Sequence, residues 1–223
     1  MKKLLASLAA VGLFATPVLA DPEIKQWNTM HSMGCMLVGE CTEDLVEVFS
    51  LLDVSSEYPN TEEYTPLTIE FNNMLSSLNK VGVKVYLADS KYFPTNHRGV
   101  YHTVSNNFFL NKAHMGNPAT LMMLMRHEGW HAAQDCMAGS INNNQIAIIR
   151  PEEDVPMLWR VMAERTYPES AVPWEAEAQW AGRTEGMTQE ALEACAGGAM
   201  WEVFEPTPMT GEWLIKNGYW DGK

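Results

Sequence analysis

The chain has 223 residues, 46% of them hydrophobic, and a formal net charge of −13. That length supports one substantial core and is short for two, while the acidity repels nucleic acid and anionic lipid and so excludes both as partners. The simplest use of such acidity is to keep an exported protein soluble.

Residues 1–20 have the parts of a secretory signal peptide: basic Met1-Lys2-Lys3, an apolar run from Leu4 to Phe14, and Val18-Leu19-Ala20 as a cleavage site ahead of Asp21. The expectation is a secreted or periplasmic protein cleaved after Ala20, with residues 21–223 forming a single domain. No later stretch is long and apolar enough to span a bilayer, so no membrane association is expected after cleavage. Export favours disulfides over free thiols. Cys35 and Cys41 bracket a short loop containing Gly39, and a local bridge between them is the simplest pairing. His31 reads as a polar surface residue.

Residues 43–53 suggest a short helix. From Pro66 to Lys80 the apolar positions Leu67, Phe71, Met74, Leu75 and Leu78 recur at helical spacing, with Gly82 as a stop. Val81 to Ala88 alternates as a strand, residues 89–98 form a loop, and Gly99 to Leu110 resumes as one extended strand or two short ones. His97, His102 and His114 fall here at irregular spacings, which suits solvent-facing or hydrogen-bonded histidines better than a second metal site.

The next helix has clear ends: Asn117 as N-cap, Pro118 in its first turn and Gly139 beyond its last. Leu121 to Met125 is apolar on all sides, so this helix is expected to be buried, its methionines filling the core rather than binding copper. It carries Arg126-His127-Glu128-Gly129-Trp130-His131, which contains H-E-x-x-H. Residues four apart share a helix face, so His127 and His131 can offer two imidazoles to one ion, with Glu128 as the base that takes a proton from water. Buried imidazoles need partners. A metal would supply one; a helix whose histidines are merely hydrogen-bonded is the plainer alternative.

Residues 140–151 read as an Asn-rich loop and then a short buried segment, and Glu152 to Tyr167 as a helix with Pro156 near its start. Pro173 to Ala181 is a second buried helix, Ala-rich and flanked by Trp174 and Trp180, with the carboxylates Glu175 and Glu177. Thr188 to Ala196 is a short helix capped by Thr188, and the tail from Ala199 is expected as a surface loop or short strand. No internal repeat or linker interrupts the chain.

A catalytic zinc site takes three protein ligands and keeps a fourth position open. The metzincin pattern, with a glycine three and a histidine six residues after the second ligand, is absent: Gln134 and Met137 stand there. The chain instead resembles the gluzincin metallopeptidases of the thermolysin-like clan, and more closely their minimal members. The likeness runs roughly from Val81 to Arg183, with H-E-x-x-H its one strict signature. The resemblance implies an α+β, zincin-like fold, mainly helical with a small mixed sheet before the motif helix. It implies a downstream glutamate as third ligand, with a polar residue four positions on and a small residue before that. Glu175, followed by Ala178 and Gln179, matches better than Glu177, although Gln179 stands where the family often has Asp or Asn.

The implied function is zinc-dependent hydrolysis of peptide bonds, with His127, His131 and Glu175 on Zn2+, Glu128 as general base, and the strand over Gly99 to Leu110 as the edge on which an extended peptide pairs. Tyr101, His102, Tyr167 and Arg165 are the candidate oxyanion donors. A Cys136–Cys195 bridge would tie the motif helix to the region after the glutamate helix. The alternative is a catalytically silent zincin-fold protein that binds metal or a partner and hydrolyses nothing.

Overall fold

The alternation read in the strands becomes a two-faced sheet. The computed structural model describes residues 32–139, 145–208, 210–219 and 221; the expected signal peptide and His31 lie outside the described residues. Strands β1 (Leu45–Glu47), β2 (Lys84–Ala88), β3 (Gly99–His102) and β4 (Asn107–Asn111) form a four-stranded mixed sheet in the order β1-β2-β4-β3. The β2–β4 pair is parallel and the other two are antiparallel. Val85, Leu87, Tyr101, Phe108 and Leu110 face the helices, while Ala88 and Phe109 face the opposite side, where Met36, Tyr92 and Phe93 cover them. This is the side-chain period of two expected of strands. Asn106, at φ 54° in the left-handed region, turns β3 into β4; asparagine tolerates that conformation better than most residues.

Helices α1 (Leu51–Ser55), α2 (Thr68–Lys80), α3 (Pro118–Met137), α4 (Met157–Thr166), α5 (Val172–Ala181), α6 (Met187–Ala196), α7 (Met200–Val203) and α8 (Gly211–Lys216) complete the α+β fold. The long helix α3 is its axis: α2, α5, α6 and strand β3 all pack against it. Its N-cap is as expected, with Asn117 Oδ1 accepting from Thr120 N at 2.9 Å, and Leu121, Met125 and Trp130 are fully buried. Gly129 lets α6 approach closely, since a Cβ there would stand 3.0 Å from the Thr188 methyl. Two disulfides are present, Cys35–Cys41 and Cys136–Cys195. The second spans 59 residues and joins α3 to α6, a loop whose closure is worth about 4 kcal/mol in the chain-entropy account.

Four local expectations need correction. The helix expected over 43–53 is instead β1 followed by α1, because Val46 pairs with Leu87 and the helix begins only at Ser50, whose N–H donates to Asp53 at 2.8 Å. The helix expected over 152–167 is a single 3-10 turn (Glu152–Asp154) and then α4; Pro156 holds Val155 extended and separates them. Helix α6 starts after Gly186, at φ 81°, not at a Thr188 cap; the Thr188 hydroxyl donates to the Arg126 carbonyl at 2.8 Å. The tail holds the short helices α7 and α8 where a loop or strand was expected.

Candidate metal centre and groove

His127 and His131 lie one turn apart on α3, and α5 crosses that face. Gly182, at the end of α5, permits the crossing: a Cβ there would sit 3.1 Å from the Met123 carbonyl oxygen and 3.2 Å from His127 Cβ. The result sets Glu175 Oε2 at 3.5 Å from His127 Nε2 and 3.6 Å from His131 Nε2. Among the described residues these three form a group able to hold a metal ion, with one ligand atom from each within 4.8 Å of the others.

The spacing itself tests the fit. Bonds of about 2.1 Å at tetrahedral angles place ligand atoms roughly 3.4 Å apart, close to the separations here and long for hydrogen bonds. Glu175 Oε2 is buried and has no hydrogen-bond partner, a costly state for a carboxylate oxygen unless a cation completes it. The donor set of two imidazoles and a carboxylate suits zinc and other borderline divalent ions.

Electrostatics couple the three side chains. Burial works against ionising Glu175, yet the imidazoles of His127 and His131 facing its oxygen outweigh it and carry the carboxyl down to about 2. Burial likewise opposes a charged His131, but Glu175, with Glu128 and Gln134, lifts it to about 9. Without metal His131 therefore keeps a proton opposite an ionised Glu175, and a cation must displace it.

Outer contacts orient the ligands. His131 Nδ1 is 2.8 Å from Gln134 Oε1, which makes Nδ1 the donor and leaves Nε2 as the nitrogen that can turn to an ion once its proton is displaced. Gln134 is held in turn, its amide donating to Glu177 Oε2 at 2.8 Å and to the Trp174 carbonyl at 3.1 Å. The place of Gln134 in the chain, where a metzincin has glycine, gave no sign of this task.

Glu177, the other candidate ligand, points into the protein. It is fully buried and accepts from Trp130 Nε1 at 3.0 Å, Ile149 N at 2.9 Å and Arg150 N at 2.5 Å as well as from Gln134. Burial pushes its carboxyl up, and these N–H groups pull it back. Gln179, the departure from the family pattern, does not reach a histidine ligand: its side-chain oxygen accepts from Arg183 at 3.0 Å.

Glu128 stands beside the ion-binding group and outside it. Its Oε2 accepts from Tyr101 N at 2.8 Å, so the outer edge of β3, buried at this point, steadies the expected base. Of the four candidate oxyanion donors, Tyr101 has its hydroxyl committed to Asp135 at 2.6 Å, and the His102 ring meets Ser105 Oγ at 2.8 Å. Arg165 is not part of the groove wall, whereas Tyr167 is, together with His127 and Glu128. Burial, and then the charges of Glu175 and Glu128, raise the Tyr167 phenol well above its ordinary value, so it stays a proton donor. The groove has a volume of about 560 Å³. His97 lines it, while His114 sits in a 3-10 turn after β4.

Comparison of the chain with protein-family models, with curated proteins and with solved structures gives no match.

Proposed function

We propose that this chain is an exported zinc metallopeptidase with a zincin-like fold, a single domain over residues 21–223. The observation that carries the reading is the convergence of His127, His131 and Glu175 on one point at metal-binding separations, with Glu128 adjacent and uncommitted to the cluster. A purely structural site has no use for such a carboxylate and closes its fourth position. The disulfides suit an oxidising compartment, and no described helix is long and apolar enough to cross a membrane.

Zinc would be held by His127, His131 and Glu175, and the chemistry it brings is Lewis acidity towards the scissile carbonyl and towards water. Glu128 takes the proton released from the attacking water and passes it to the leaving amine. The Tyr101 N–H fixes one Glu128 oxygen and thereby orients the other for that transfer. Tyr167 donates its phenolic hydrogen bond to the carbonyl oxygen as charge develops there. Strand β3, at the sheet edge, is the backbone on which an extended substrate lies.

The test is zinc content and peptide hydrolysis measured together. Wild type is expected to hold one equivalent of zinc and to lose hydrolysis with a chelator. Glu128→Gln is expected to keep the zinc and lose at least 100-fold in rate. Protein without stoichiometric zinc would sink the reading. Zinc retained with no hydrolysis of any peptide would leave the silent zincin-fold alternative.

A further inference from the structure

The groove differs in charge from the rest of the molecule. With 28 acidic against 15 basic residues, the chain has ample carboxylate to pair every cation. The described lysines show it: Lys80, Lys84, Lys91, Lys112 and Lys216 each sit against a glutamate or aspartate. Arg126 is clamped by both oxygens of Glu70 at 2.6 Å. Among the described residues Arg126 and Arg160 are the arginines with an ion-pair partner; of the other four, Arg98 and Arg183 are exposed and share the groove wall, while Arg150 and Arg165 do not line it. Glu128 is the one acidic residue lining this groove.

Arg183 is also pre-oriented. One of its terminal nitrogens donates to the Gln179 side chain at 3.0 Å, and its guanidinium carbon lies 5.0 Å from the centre of the Trp159 ring. Those contacts hold the stem and occupy one nitrogen, leaving the other N–H groups of the fork for a ligand. Arg98 directly precedes β3, and its carbonyl accepts from Asn111 N at 2.9 Å, which anchors the backbone while the side chain stays unpaired. A second cavity, about 300 Å³, lined by Val172, Pro173 and Ala176 at the start of α5, makes the contrast. There Arg150 and Arg160 share the lining with three carboxylates, Glu152, Glu164 and Glu169, so the cavity carries as much acid as base.

We infer that the groove selects peptides carrying a carboxylate close to the scissile bond, received by Arg98 and Arg183. This rests on the peptidase reading and adds the substrate class to it. Two unpaired guanidinium groups flanking a concave site attract anions and fix them by paired hydrogen bonds. The carboxylate can belong to an aspartate or glutamate side chain or to the end of the peptide, and both offer the same planar pair of oxygens.

Binding separates this from the chemistry. Zinc-loaded Glu128→Gln protein is titrated with dye-labelled peptides that differ only in Glu against Gln beside the central bond, or only in a free against an amidated C-terminus, at low and at 0.3 M salt. The expected result is at least tenfold tighter binding of the carboxylate form in one arm, weakened by salt. That preference should fall about threefold or more in Arg98→Gln and in Arg183→Gln, and vanish in the double variant. The arm that responds identifies whether the side chain or the terminus is read. Equal binding in both arms, or a preference untouched by the double variant, overturns the inference while leaving cleavage by wild type intact. A carboxylate preference in protein whose wild type cleaves nothing upholds the inference and sinks the peptidase reading.

Discussion

Two carboxylates two residues apart on α5 face opposite regions of the molecule. Glu177 looks inward and is surrounded by N–H groups from Trp130, Gln134, Ile149 and Arg150. Glu175 looks towards the motif histidines, and its buried oxygen meets no hydrogen-bond donor at bonding distance, only two imidazole nitrogens at 3.5 and 3.6 Å. The difference separates structure from chemistry. A carboxylate whose lone pairs are all used by N–H groups holds a fold together, and one left short of donors is available to a cation.

The contrast can be broken most strongly at Glu177. Replacement by Ala strands four N–H groups in the interior and is expected to cost about 4 kcal/mol in urea unfolding; a loss under 1 kcal/mol would mean those bonds do not hold α5. At Glu175 the effect should fall on the ion instead. Glu175→Gln is expected to lower zinc affinity by about 3 kcal/mol, roughly 100-fold. Its metal-free stability should fall by clearly less than Glu177→Ala costs, read by unfolding in EDTA, with the zinc affinity read by chelator competition. Equal effects on folding from both variants would erase the distinction.

Gln134 joins the two regions, touching His131 with one end of its amide and Glu177 with the other. Gln134→Leu should therefore weaken zinc binding by about 10-fold or more through loss of the His131 orientation, with a concurrent drop in stability from Glu177. An affinity unchanged within twofold would show that His131 needs no such support.

The smallest effect is the pH dependence of the metal-free protein. His131 rises to about 9 from 6.5, so its contribution to stability is complete below about 6.5 and fades as pH climbs through 9. Glu175 falls to about 2 from 4.5, so its contribution is complete above 4.5 and fades as pH drops through 2. Stability in EDTA should have its plateau between those limits. Zinc affinity should rise with pH up to about 9, because the ion displaces the His131 proton. A Glu175→Gln variant with the same alkaline profile would show that the pair is not its source.

Much of this was legible where the signal is local. The motif helix announces its own ends through Asn117, Pro118 and Gly139, and β2 declares itself by alternation. H-E-x-x-H needs only one helical turn to place two imidazoles. Glu175 over Glu177 was reached through family resemblance, not through burial. The inward role of Glu177 depends on Ile149 and Arg150, which no spacing rule ties to it. Gln134 was read only as a mismatch to another pattern, because Trp174 and Glu177, which fix its amide towards His131, lie about 40 residues downstream. Strand β1 was missed for the same reason: three residues become a strand only when Leu87 and its neighbours offer a ladder.

The Cys136–Cys195 bond encloses both of those carboxylates within its covalent ring, while the histidines lie just outside it on the same helix as Cys136. Any single backbone cut between 136 and 195 therefore leaves every proposed ligand on one connected molecule. For the proposed peptidase, released among other peptidases or among copies of itself, that bond would separate being nicked from being dismantled. Nicked protein should run as one species until reduced, and only then surrender its zinc.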